Sequence, residues 1–318
     1  TPAQAIPFAL PESPGRIRSG PLPQSAPYGS DGSGKKGDEE KLMNALLRIS
    51  EEDPTCKVEK SVEGKQLIVR CMGDVHLDHI MTKMERKYGI KGVLQDVYIP
   101  YRETIKGKAT AEGKHKKQSG GHGQYGHVIL DIEPLTNGES FEFVDDIFGG
   151  AVPKQYIPAV EKGVKETLEK GLIAGYPMIN IKVTLKDGSY HSVDSSEMAF
   201  KVAAALALKK GVPEANPVLL EPVYNVDVVV PEEYMGDIMG DFSSRRGRIL
   251  GMEHHRNRKG IIVVKAQVPL SEMKGYVTVL RSMTQGKVRS TWNSYAYEEV
   301  PKKLMDEIIA KAQEAKKE

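Results

Sequence analysis

The sequence has only two cysteines, Cys56 and Cys71, in 318 residues. They fall in neighbouring predicted strands. A disulfide between them is one reading; two buried thiols in a cytosolic protein is the favoured one. No cysteine–histidine spacing suggests zinc. There is no apolar run long enough to cross a bilayer and no signal-peptide pattern at the start, so a cytoplasmic protein is expected. A large charge excess is also missing. The net charge is +2, so any nucleic-acid contact has to come from local patches. The phosphate-cradling pattern G-x-x-x-x-G-K-[S/T] does not occur, which argues against nucleotide hydrolysis by this chain.

What is present is an ordinary globular composition, 39% hydrophobic and 28% charged, on a chain long enough for two or three domains. Residues 1–37 are rich in Pro, Gly and Ser and read as a linker or disordered remnant. Residues 38–100 read as helix, hairpin, helix and strand. Leu42, Leu46, Leu47 and Ile49 face inward on the first helix. Cys56–Lys60 and Gln66–Cys71 form the hairpin, and Asp74–Tyr88 the second helix, closed by Gly89. Val93–Val97 is the last strand. With a first strand added, this is a split βαβ domain of ferredoxin-like type. Residues 222–318 repeat the pattern. A valine-rich strand precedes a helix opened by Pro231 and ending near Arg246. Two strands follow around the basic turn 254–259, then a helix, a strand and a charged C-terminal helix.

Between them, residues 101–221 form an elongated α+β unit. It has strands at Val128–Ile132 and Ser140–Phe143 and a helix from Pro153 to Lys170. Its distinctive stretch is Lys186-Asp187-Gly188-Ser189-Tyr190-His191-Ser192-Val193-Asp194-Ser195-Ser196-Glu197-Met198-Ala199-Phe200-Lys201. Ile179, Ile181, Val183 and Leu185 alternate with polar residues before it and predict a strand. A helix is predicted from Ser195 to about Lys210. Asp194 is expected to cap it, with Glu197 completing a capping box. Tyr190 and His191 are then lifted to a polar tip.

Several constellations have blander readings. Gly121-His122-Gly123-Gln124-Tyr125-Gly126 fits G-x-G-x-x-G, but a strand follows where a dinucleotide site needs a helix, so it reads as a glycine hairpin. His191, Asp194 and Ser195 lack a nucleophile elbow and an oxyanion loop, which disfavours hydrolysis. His76 and His79 lack further ligands for a metal. Lys106, Lys108, Lys114, His115, Lys116 and Lys117, and His254, His255, Arg256, Arg258 and Lys259, are basic clusters that are solvated faces unless something recruits them. Arg245 and Arg246 end a helix, where cations complement the dipole.

The stretch Asp187–Lys201 resembles the domain IV signature of bacterial elongation factor G, the translational GTPase of ribosomal translocation. Met72-Gly73-Asp74-Val75-His76-Leu77, Tyr101-Arg102-Glu103-Thr104, Gly120–His127, Glu232–Asp237 and Ser244-Arg245-Arg246-Gly247 resemble the same family in its order, from about Lys36 to the end. The resemblance implies domain III at 38–100, domain IV at 101–221 and domain V at 222–318: two ferredoxin-like domains flanking an elongated α+β domain. It implies a ribosome-binding part acting in tRNA–mRNA translocation, with no enzyme activity of its own. GTP and magnesium are expected only in an N-terminal domain outside this chain. The expected partners are rRNA of both subunits, tRNA and mRNA, with no membrane and a monomeric state. The implied tip contacts are His191, Tyr190, Ser192, Gly121, His122, Gly123, Gln124 and Tyr125. The implied rRNA contacts are Lys114, Lys116, Lys117, Arg245, Arg246, Arg256 and Arg258. His122 stands where the main translocase often has Arg, and Asp74-Val75 replaces Glu-Leu. A paralogue in ribosome recycling or rescue, or a stand-alone RNA-binding module, are the alternatives.

Overall fold

A computed structural model describes residues 24–26, 36–61, 66–71, 74–92, 98–119 and 122–314. The described chain falls into two compact units. One holds Tyr101–Glu221 together with the chain from Tyr297 on; the other holds the described residues up to Pro100 together with Pro222–Ala296.

In the second unit, β1 (Gln24–Ala26), α1 (Lys36–Glu52), β2 (Lys57–Ser61), β3 (Gln66–Arg70) and α2 (Asp74–Tyr88) form a small domain. Its sheet order is β1-β3-β2, all antiparallel neighbours. β1 lies in the stretch that composition assigns to a linker, which corrects that reading. Three residues suffice as a strand because Ser25 and its neighbours pair with the apolar β3, whose Leu67 and Val69 are buried. Leu42, Leu46 and Ile49 from α1 and Leu77, Ile80 and Met84 from α2 close the core, as their helical spacing demands. Leu47, also expected inward, is 40% exposed. The expected strand 93–97 lies outside the described residues. Cys56 and Cys71 are buried thiols, not joined in a disulfide, at facing ends of β2 and β3.

The same unit holds β9 (Pro217–Pro231) from Pro222 on, α5 (Met235–Ser244), β10 (Arg248–His254), β11 (Ile261–Pro269), α6 (Tyr276–Met283) and β12 (Arg289–Glu299) up to Ala296. The strand order is β10-β11-β9-β12, the split βαβ arrangement. Val226, Val228 and Val230 meet Ile262, Val264 and Ala266 over Ile238, Phe242 and Tyr276.

The first unit contains β4 (Arg102–Ile105), β5 (Ala109–Ser119), β6 (His122–Pro134), β7 (Phe141–Asp145), α3 (Ile157–Lys170), β8 (Ile181–Ser189) and α4 (Glu197–Glu214). The sheet runs β5-β6-β8-β7. β6 is far longer than the expected Val128–Ile132, and Lys114, His115, Lys116 and Lys117 of the first basic cluster lie on its antiparallel partner β5, with Lys106 and Lys108 before it. Val128, Leu130, Ile132, Ile181, Val183 and Leu185 alternate inward onto α3 and α4, whose Val160, Val164, Phe200, Ala203, Ala204 and Ala207 fill the core. The alanine face of α4 lies close to the sheet because Gly113 and Gly126 face it. A Cβ at Gly113 would stand 2.0 Å from Ala203 O, and one at Gly126 2.5 Å from Ala199 O.

The last helix, α7 (Lys302–Glu314), belongs to this first unit. Leu304, Met305, Ile308 and Ile309 pack with Tyr101, Tyr176, Leu219 and Val300, and Val300 N–H donates to Leu219 O. At the base of the unit, the buried Glu103 carboxylate accepts five backbone N–H bonds. Oε2 takes Leu172 and Ile173; Oε1 takes Ala174, Gly175 and Tyr176, all between 2.6 and 3.0 Å. This fixes the loop that returns the chain from α3 to the sheet.

Candidate nucleic-acid interface

At the far end of β8 the chain leaves the sheet after Ser189, forms the loop 190–196 and enters α4. The cap is Ser196: its hydroxyl accepts from Ala199 N–H at 3.2 Å. Asp194, expected in that role, is used elsewhere. Its carboxylate accepts from Gly123 N–H at 3.0 Å, and its carbonyl accepts from Tyr125 N–H at 2.8 Å. Ser195 completes the seam. Its hydroxyl donates to Tyr125 O at 3.0 Å and accepts from His191 N–H at 2.8 Å. The β5–β6 hairpin and the His191 loop are therefore one stitched surface. Residues 122–125 belong to strand β6, so this part of the glycine-rich segment is ladder backbone and not a free loop.

His191 is held from one side. Its Nδ1 accepts from Val193 N–H at 3.3 Å and Asp194 N–H at 3.2 Å. The Asp194 carboxylate lies 3.4 Å from the same nitrogen. With Nδ1 accepting from the two N–H groups, the neutral ring carries its proton on Nε2, which is then the donor. The side chain is 54% exposed, and Tyr190 is 52% exposed. Ser192 is exposed beside them. Tyr125 lies 6.4 Å from the His191 ring, centroid to centroid.

The remaining tip residues are less free than the sequence suggests. The Gln124 amide oxygen pairs with His115 Nε2 at 2.9 Å. The Tyr125 hydroxyl pairs with Ser189 Oγ at 2.7 Å, and Ser189 Oγ also meets His127 Nδ1 at 2.8 Å. Glu112 Oε1 lies 3.0 Å from His127 Nε2, off hydrogen-bonding geometry. Gly121 lies outside the described residues, and His122 is described in its backbone only. Sequence reasoning missed Ser189 and Tyr156. The Tyr156 ring stacks on Phe200 at 4.8 Å, and its hydroxyl donates to Ser195 O at 3.2 Å. The alternation of β6 carries the signal for Ser189: Tyr125 and His127 share the face opposite the buried Val128 and Leu130, and His127 pairs with Ser189.

The three hairpin lysines are exposed but divided. Lys116 pairs with Tyr125 and Lys117 with Gln124, so the two point to opposite faces of the ribbon. Lys114 joins Lys116, with its Nζ 5.9 Å from the Tyr125 ring centroid. In the other unit, Arg256 and Arg258 are exposed on the β10–β11 turn. Arg245 and Arg246 are engaged within their own domain. Arg245 bonds Asp241 Oδ2 at 2.9 Å and Glu272 O at 2.7 Å, and lies over the Tyr276 ring; Arg246 bonds Glu272 at 2.7 Å and Ser271 at 2.9 Å. Among the described residues no cluster of His, Cys, Asp and Glu could hold a metal, and no helix is long and apolar enough to cross a membrane.

Comparison with known families decides what this arrangement is. Residues 33–96 match the model of elongation factor G domain III, residues 98–216 that of domain IV, and residues 218–308 that of the elongation factor G C-terminus. The chain belongs to the elongation factor G family. It carries that family's domains III, IV and C-terminus, in order. A crystal structure from Thermus thermophilus is similar to it, at 40% sequence identity and a TM-score of 0.79, over 94% of this chain and 44% of that one. The chain thus spans less than half the length of that relative. In elongation factor G terms, the stitched surface lies in domain IV and the engaged arginines in the C-terminal domain.

Proposed function

We propose that this chain is the ribosome-binding part of a translocation factor, and that the domain IV tip meets tRNA and mRNA in the decoding region. One observation carries the reading: His191 is fixed by two backbone N–H groups so that its Nε2 donor projects from a surface built by two separate segments. A donor held this way can bond a phosphate or a base edge without first being ordered. Tyr190 and Lys114 add stacking and charge beside it. Among the described residues, nothing at the tip forms a nucleophile–base–oxyanion set, and the work is positional. Nucleotide hydrolysis falls to parts of the factor outside this chain.

The test is His191→Ala in a full-length factor. Folding changes by no more than about 0.5 kcal/mol, since the ring is exposed. Movement of tRNA and mRNA slows while GTP hydrolysis stays near normal. Translocation at full speed, or a domain that melts, contradicts the proposal.

A further inference from the structure

A third segment reaches out of domain IV beside the tip. The loop from β7 to the turn before α3 carries Phe148, which is 94% exposed. Its flanks are clamped. Asp145 Oδ1 accepts from Ile147 N–H at 3.1 Å, Asp146 N–H donates to Leu185 O at 3.0 Å, and the Asp146 carboxylate pairs with Lys186 at 2.7 Å. Ile147 packs on the core, and Val152 is buried against Gly188. Gly149 and Gly150, at φ of 67° and 75°, turn the chain between these anchors. The ring is therefore presented by a braced loop, at a standing cost in hydration of an apolar surface.

The surroundings define what it fits. Between His127 and Lys154 the sequence has no Lys, Arg or His. It carries Asp131, Glu133, Glu139, Glu142, Asp145 and Asp146. Lys108 and Lys186 answer Glu133, Asp131 and Asp146. Glu142 and Asp145 remain on β7, the outer strand of its sheet, with Glu139 just before it; Lys182 lies in register beside Glu142, and Lys165 sits over the Phe141 ring. A phosphate backbone is repelled by such an edge, whereas a protein rich in Lys and Arg is attracted.

We propose that Phe148 and the acidic β7 edge form a protein-docking surface, with the ring entering an apolar cleft on a basic protein. On the ribosome-binding reading, on which this rests, that partner is a ribosomal protein. The experiment uses the intact chain with a benzophenone amino acid at position 148 and purified ribosomes. Irradiation yields an adduct that survives nuclease and is removed by protease. In parallel, Phe148→Ala weakens ribosome binding about tenfold at unchanged melting temperature, and Phe148→Leu restores most of it. An adduct to rRNA, no adduct, or unchanged affinity of Phe148→Ala overturns the docking surface while leaving the ribosome reading standing. Failure of the unmodified chain to bind ribosomes overturns both.

Discussion

His191 projects a donor because its other ring nitrogen is occupied by the N–H groups of Val193 and Asp194. That detail of the loop is invisible in the sequence, where Asp194 three residues before Glu197 matches a capping box. The capping rule names the right residue types and the wrong position: Ser196 caps, because Asp194 is drawn across to Gly123. The same limit hid Glu103. In the sequence it is one letter of a family motif; in the fold it is a buried carboxylate that satisfies five peptide donors. Glu103→Gln replaces one accepting oxygen by an amide donor facing N–H groups. It is expected to destabilise the domain by about 1–3 kcal/mol, read as a lower urea midpoint at unchanged m-value. An unchanged midpoint would mean that the loop 172–176 is held by other contacts.

At the level of helices and strands, period and burial made most of the fold legible. Leu42, Leu46 and Ile49 at helical spacing, and Val226, Val228 and Val230 alternating, are buried where the pattern puts them. The failures share a cause. β5 reads Lys-His-Lys-Lys because only one of its ends has an inner face to fill, with Gly113 giving way to a helix. β1 is three residues in a Pro- and Ser-rich stretch, held by a partner strand that no local pattern announces. A long-range tie of another kind joins α1 to α2. Asp53 Oδ2 pairs with His76 Nε2 at 2.8 Å, while Oδ1 accepts from the Thr55 hydroxyl and N–H. The Thr55 bonds first, and His76 after them, hold the Asp53 carboxyl below its ordinary value of 3.8. A depressed folded pKa contributes stability that is present above the unfolded value and is lost as pH falls through the folded one. Wild type should therefore melt above Asp53→Asn near neutral pH, and the gap should close as pH drops below about 4. A gap that stays constant in acid would contradict the pairing.

For the whole molecule, a net charge of +2 leaves recognition to patches. Lys114, Lys116 and Lys117 are exposed, whereas Arg245 and Arg246 are held by Asp241 and Glu272. Of the expected rRNA contacts, the hairpin lysines and Arg256 and Arg258 are thus the exposed cations. Neutralising the three lysines should flatten the dependence of log affinity for ribosomes on log salt, by about one unit for each lysine that meets a phosphate. An unaltered slope reduces the hairpin to a solvated face.

The stitched tip is proposed to sit in the decoding region. Its most direct test exploits the scarcity of cysteine. Cys56 and Cys71 are buried, and burial, with Cys71 nearby, pushes the Cys56 thiol up to about 11. Both should resist labelling in the folded protein. Ser192→Cys then offers one reactive thiol, beside His191, for an iron chelate that generates hydroxyl radicals. On ribosomes, with the factor carrying this tip, strand scission is expected in small-subunit rRNA around the decoding region. Scission elsewhere, or none from a factor that is bound, would contradict the assignment.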